Sequence, residues 1–309
     1  MIAIVVTATF VLIRLAPGDP FASALDGPSV SQEIRDAWRA SYAFDRPLPE
    51  QYRRWITNIV RGDLGYSTSQ RRPVRDVIRG ALPNSLLLMT IALVASFAAG
   101  IALGVFQAMR RGRAADRALS GVTLFFYSMP DFWLALMMML TFAYWVPIFP
   151  VTGMTDAVMY DYWPAWRQLL DRLHHLVLPV ATLTLLSTAV IARYQRAAML
   201  DVVHDEYVRT ARAKGVDEGR VVRRHALRNA LLPIITIFGL AFPALLGGAV
   251  FVERIFSWPG MGLVTVTAIL QRDYHLVTAS VIVGSAMVVL GSLAADVLST
   301  VADPRLRRV

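Results

Sequence analysis

The feature that most constrains this chain is a series of long apolar stretches with little or no charge. Ser85 to Gln107 contains no charged residue, and Leu119 to Val146 carries one, Asp131. Leu176 to Ala192 and Ile234 to Val252 are uncharged, and Leu276 to Val301 holds only Asp296. A helix needs about 20 mostly apolar residues to cross a bilayer. A soluble domain distributes its apolar residues at a helical or strand period instead of in blocks. Over 309 residues, 56% of them hydrophobic, the blocks predict an all-α integral membrane protein, with residues 1–309 forming a single membrane domain.

The N-terminal stretch Ile2 to Ile13 is apolar apart from Thr and then meets Arg14. No basic residue precedes it, and Arg14-Leu15-Ala16-Pro17 is a poor cleavage site. It reads as the first membrane helix, with its start lying upstream, which brings the expected number of spans to about six.

Charge in the connections sets the expected orientation. Ala108–Ala118 has four Arg and one acid; Arg193–Arg228 has nine basic residues and five acids; the tail after Val301 has three Arg and one Asp. Pro147–His175 and Phe256–His275 share three Arg between them. Short basic loops stay cytoplasmic, so the first set is expected inside, the second outside, and both termini in the cytoplasm. The long connection 16–80 is expected outside despite ten Arg, because it also holds eight acids and long segments translocate largely regardless of charge. Val30–Ala40 and Glu50–Val60 within it read as helical between turns marked by Pro and Gly.

Several chemistries are argued against. With no cysteine there is no disulfide, Cys-ligated metal or thiol catalysis. The net charge of +9 lies in loops flanking apolar blocks, the pattern of a membrane protein and not of a nucleic-acid face. Lys214, the only lysine, is followed by Gly, so the chain has no phosphate loop ending in Lys-Ser or Lys-Thr. None of the five His sits within an apolar block, and no Ser in a block has a His partner in one, which leaves no metal or catalytic constellation. Asp131 is the candidate functional carboxylate in the membrane, within Tyr127-Ser128-Met129-Pro130-Asp131. It could re-satisfy amides freed by Pro130, or, together with Ser128, line a polar path.

The most informative segment is Asp205-Glu206-Tyr207-Val208-Arg209-Thr210-Ala211-Arg212-Ala213-Lys214-Gly215, in the longest of the basic loops, 193–232. It predicts a short helix stopped by Gly215. Val203, Tyr207 and Ala211 fall on one face at i, i+4 spacing. Small Thr210 and Ala211 would admit a close partner, framed by Arg209 and Arg212. The same residues also suit an amphipathic helix lying on lipid, and the spacing alone leaves both readings open.

This segment, with Leu232-Pro233 after it, resembles the cytoplasmic coupling loop of bacterial ABC importer permeases. Arg209-Thr210-Ala211-Arg212-Ala213-Lys214-Gly215 and Arg224-His225-Ala226-Leu227-Arg228-Asn229-Ala230-Leu231 are similar to the dipeptide/oligopeptide/nickel branch. So are Gly62-Asp63-Leu64-Gly65-Tyr66-Ser67, Leu82-Pro83-Asn84-Ser85 and Phe256-Ser257-Trp258-Pro259-Gly260-Met261-Gly262. Arg14-Leu15-Ala16-Pro17-Gly18-Asp19-Pro20 and Asp303-Pro304-Arg305 resemble the B-type subunit. The resemblance implies a type I-like permease fold in the bacterial inner membrane. It also implies a complex with a homologous C-type permease, two ATPase subunits that bind ATP and Mg, and an external substrate-binding protein. Glu206, Tyr207, Arg209, Thr210, Ala211, Arg212 and Gly215 would then form the ATPase-coupling element. No cofactor or catalytic residue is expected on this chain, and its partners would be proteins and lipid, not nucleic acid. The competing expectation is a proton-coupled secondary transporter acting without an ATPase, which would depend on Asp131.

Overall fold

A computed structural model of the chain describes residues 2–15 and 46–302. The expected helix at Val30–Ala40, most of Arg14–Pro20 and the closing Asp303-Pro304-Arg305 lie outside the described residues. The described elements are helices, their connections and one small hairpin, and each expected apolar block except Leu119–Val146 falls within one helix. The helices are α1 (Ile2–Leu15), α2 (Leu48–Val60), α3 (Val74–Met109), α4 (Ala114–Tyr127), α5 (Asp131–Met139), α6 (Ala165–Val202), α7 (Glu206–Ala213), α8 (Glu218–Arg220), α9 (Leu227–Ala230), α10 (Leu232–Ile255), α11 (Met261–Leu270) and α12 (Tyr274–Ala302). Strands β1 (Tyr66–Ser67) and β2 (Arg72–Pro73) pair antiparallel between α2 and α3.

Among the described residues, three helices are long and apolar enough to cross a bilayer, over Val74–Met109, Ala165–Val202 and Tyr274–Ala294. The block Leu119–Val146, read from sequence as one span, is two arms, Ala114–Tyr127 and Asp131–Trp145, bent by 103°. Pro130 causes the break. It adopts φ −63°, ψ 138°, donates no N–H, and disfavours helix in Met129 before it. The second arm ends in a π-helical turn, Leu140–Trp145. The uncharged block Ile234–Val252 lies inside the 24-residue α10, while α1, at 14 residues, is shorter than a full span. Leu176–Ala192 turns out to be the middle of a 38-residue helix that continues past the apolar block at both ends.

The chain divides into two compact units. One comprises the described residues up to Ser85 with Pro259–Met287. Its core joins Val74, Val77 and Ile78 of α3 to Ala268, Leu276 and Ala279 of α11 and α12. Phe10 of α1 stacks edge-on against Tyr52 of α2 at 5.2 Å, and Thr7 hydrogen-bonds the Tyr52 hydroxyl at 2.7 Å. Asp273 is buried. Its carboxylate accepts from Ser67 Oγ (2.5 Å), Ser69 N (3.0 Å) and Ser69 Oγ (2.8 Å), and its other oxygen accepts from Leu276 N (3.1 Å). One side chain therefore caps the start of α12 and fastens the hairpin to it.

The other unit comprises Leu86–Trp258 with the described residues from Val288 on. A core of Leu88, Ala135, Leu178, Leu183, Val252, Phe256 and Trp258 joins α3, α5, α6 and α10. Helices α3 and α6 approach each other closely. A Cβ built on Gly100 would lie 2.6 Å from Ile191 Cβ, and one on Gly104 would lie 2.6 Å from Gln195 Cβ and 2.7 Å from the Ala192 carbonyl oxygen. Gly100 and Gly104 stand four apart, the spacing that lets membrane helices pack backbone to backbone.

Candidate functional site

The segment after α6 folds as a clip. Asp205 is extended (φ −64°, ψ 149°) and releases the chain into α7. The helix ends where the sequence predicts. Gly215 takes φ +74°, the Gly215 N–H reaches the Arg212 carbonyl at 2.9 Å, and the Val216 N–H reaches Ala211 at 3.2 Å. This paired pattern is the Schellman stop, which needs a left-handed residue just past the last turn. Its accompanying apolar contact is also present, with Val216 packing on the cluster of Val208, Ala211 and Val221.

Side chains lock the clip further. Arg212 grips Glu218 with two bonds, Nε to Oε2 at 3.0 Å and Nη2 to Oε1 at 2.7 Å. This holds the Glu218 carboxyl below its ordinary range, chiefly through the hydrogen bond. The pair is solvent-exposed enough to add geometry more than stability. Asp217 caps the next turn, accepting from Arg220 N at 3.3 Å. Asn229 Nδ2 donates to the Tyr207 hydroxyl at 2.7 Å, tying α7 to the chain leading into α10.

The predicted residues therefore divide between two faces. Glu206, Tyr207, Arg209, Thr210 and Gly215 are exposed. Ala211 is buried under α7 against Val208 and Val221, so it cannot be the small outward residue expected from sequence. Its smallness lets the helix sit close to its own chain. The inward face is Val208 with Ala211, three apart, and Tyr207 stands beside it at the edge. Arg212 is committed to Glu218. The outer surface of the loop adds exposed Lys214, Arg220, Arg223, Arg224 and Arg228.

The residues expected in a polar path are also placed. Ser128 ends α4, with its Oγ donating to the Leu124 carbonyl at 2.9 Å. Asp131 occupies the first turn of α5, half-buried, where the helix dipole favours a carboxylate. It makes no side-chain hydrogen bond to another described residue, so the expected re-satisfying of amides beside Pro130 is not seen. No group of three or more His, Asp or Glu able to hold a metal occurs among the described residues.

Sequence reasoning missed two anchors, Asp273, described above, and Asp116. Asp116, 3% exposed, accepts Arg196 Nε and Nη2, both at 2.9 Å, and the Gly112 N–H at 2.9 Å. The Arg196 bond, then the Gly112 bond, hold its carboxyl below the ordinary range. This fixes the loop between α3 and α4 to the end of α6. The 80-residue separation left no local signal.

The largely helical fold, taken with the family and fold matches that follow, places the chain in one class: the membrane-spanning permease of a type I ABC importer. A solved structure of the MetNI methionine ABC transporter in an inward-facing conformation has this fold, at TM-score 0.58 and 18% identity over 74% of this chain and 96% of that one. The chain belongs to the family of binding-protein-dependent transport system inner membrane components, which matches residues 100–308. It is 39% identical to the oligopeptide transport system permease protein AppB of Bacillus subtilis (strain 168), over 96% of this chain and 92% of that protein. It is 38% identical to the di/tripeptide transport system permease protein DppB of Pseudomonas aeruginosa (strain UCBPP-PA14), over 97% and 93% respectively.

Proposed function

We propose that this chain is the B-type permease subunit of an ATP-driven peptide importer in the bacterial inner membrane. It forms half of the translocation pathway with a homologous C-type permease and takes its energy from two ATPase subunits that bind ATP and Mg. The peptide class is supported by the relatives named for oligopeptides and for di- and tripeptides, matched over nearly the whole chain. Both termini are assigned to the cytoplasm and the connection 16–80 to the outside, where a substrate-binding protein delivers its cargo.

The observation that carries the reading is the clip from Asp205 to Val221. A lever must move as one body, and this one is locked by the Schellman stop, the Val208–Ala211–Val221 cluster, the Arg212–Glu218 pair and the Tyr207–Asn229 bond. Glu206, Tyr207, Arg209, Thr210 and Gly215 form the face offered to an ATPase groove. Ala211 and Arg212 hold that face in shape. Closure of the ATPase pair would push α7, and the Tyr207–Asn229 bond would pass the displacement to the start of α10. Access then alternates between two states biased by nucleotide and cargo. Ser128 and Asp131, at the bend between α4 and α5, are assigned to the path.

Because the chain has no cysteine, single cysteines report position cleanly. Thr210→Cys should cross-link to an ATPase subunit through a short bifunctional reagent, while Ala211→Cys, covered by its own chain, should not. Absence of any cross-link from Thr210→Cys in an active complex would refute the docking assignment.

A further inference from the structure

Resting on the importer reading, we infer that the hairpin Tyr66–Pro73 and the start of α3 form a basic docking knob for an acidic face of the external substrate-binding protein. The knob is Arg71, Arg72, Arg75 and Arg79, joined by Arg272. All five are exposed, and none is in an ion pair with another described residue. From residue 46 to residue 80 the chain carries eight Arg against three acids. An unpaired excess of positive charge on the face assigned to the outside suits a partner surface of opposite sign.

The knob is also built rigidly. Asp273 holds the hairpin through Ser67 Oγ, Ser69 N and Ser69 Oγ, and that places Arg272, its chain neighbour, beside the same structure. Arg71 and Arg272 both have left-handed backbones, at φ +52° and +54°. This conformation is costly for residues with a Cβ and gathers at functional surfaces. One lies in the hairpin that Asp273 holds and the other precedes Asp273 in the chain.

The height of the knob favours protein over lipid. Between Val74 and the start of the uncharged block at Ser85, α3 runs for about 16 Å at 1.5 Å per residue. The headgroup layer on one side of a bilayer is only about 5–8 Å thick. The hairpin thus stands beyond the headgroups, where an acidic protein surface can meet it and lipid phosphates do not.

The test uses the complete transporter in nanodiscs of neutral phosphatidylcholine, with the purified substrate-binding protein of the same transport operon. Binding-protein-stimulated ATP hydrolysis is measured for the wild type and for the triple variant Arg71→Glu, Arg72→Glu, Arg75→Glu. The single variant Arg71→Gly, which removes charge and relieves the backbone, is measured alongside. The triple variant should need about tenfold more binding protein for half-maximal stimulation, lose most of the salt dependence of that concentration, and keep its unstimulated rate. Arg71→Gly should shift the same way by a smaller factor. Unchanged concentration dependence in a stimulated wild type overturns the knob and leaves the importer reading standing. A wild type that no binding protein stimulates overturns the importer reading itself. An effect that appears only when anionic lipid is added assigns the cluster to headgroups and overturns the proposal. So does a drop in the melting temperature of the triple variant, which would assign the cluster to an intramolecular role.

Discussion

Replacement of Gly215 separates what the clip needs internally from what a partner demands of it. The residue sits at φ +74° with no atom of another described residue, its chain neighbours apart, within 4 Å of a Cβ placed there. The cost of a side chain is therefore backbone strain alone, about 1–2 kcal/mol for an ordinary L-residue and less for Asn. At 25 °C that corresponds to roughly a five- to thirtyfold loss of the closed Schellman turn. Within this chain Gly215→Ala and Gly215→Trp carry the same kind of strain, because the space is open. Hydrogen exchange of the Gly215 and Val216 amides should accelerate by a similar factor in both, and by less in Gly215→Asn. Against an ATPase groove the two variants differ, because only the indole must be accommodated. In proteoliposomes with all subunits, Gly215→Ala should keep most of its peptide uptake per ATP hydrolysed. Gly215→Trp should lose about tenfold or more of that ratio while the chain still inserts. Equal ratios for Ala and Trp would refute the idea that Gly215 faces a partner.

Other expectations follow from particular contacts. Asp116→Asn should destabilise the solubilised subunit by roughly 2 kcal/mol at neutral pH, because Arg196 and the Gly112 amide lose a charged acceptor. Since the folded Asp116 carboxyl titrates below its ordinary 3.8, the gap between wild type and variant is full above about pH 4 and closes as pH falls through the lowered value; thermal melts across pH read it directly. Gly104→Ala should cost roughly 1–3 kcal/mol by overpacking, whereas Gly121→Ala, in α4 with no atom of a packed described residue within 4 Å, should gain about 0.5–1 kcal/mol; opposite shifts in melting temperature check both. Asp131→Asn should leave ATP-dependent uptake within about threefold of wild type, since its half-buried carboxylate makes no bond to another described residue and ATP supplies the energy; a loss of a hundredfold would revive the proton-coupled alternative.

The membrane architecture was legible because absence of charge over about 20 residues is a composition signal needing no tertiary context. The stop at Gly215 was legible because a left-handed residue past a helix end is a local demand. The helix at Leu48–Val60 was readable as Glu50–Val60 from the Pro- and Gly-marked turns around it. Which way α7 faces was not legible. Spacing placed Val203, Tyr207 and Ala211 together, but Val221, ten residues beyond Ala211, draws Val208 and Ala211 inward and leaves Tyr207 at the edge. The bend at Pro130 was readable as a break but not as a 103° turn, because the angle depends on what the two arms pack against. The Asp273 and Asp116 anchors were invisible, since each acts across 80 residues or more of chain with no local motif.

The most direct test of the central claim is to co-express the chain with its operon partners and measure ATP hydrolysis and peptide uptake together in proteoliposomes. The account requires that the purified complex contain an ATPase subunit, that the external binding protein with peptide raise its hydrolysis several-fold, and that uptake stop when ATP is withheld. Uptake by this chain alone, driven by a proton gradient and indifferent to ATP, would contradict it.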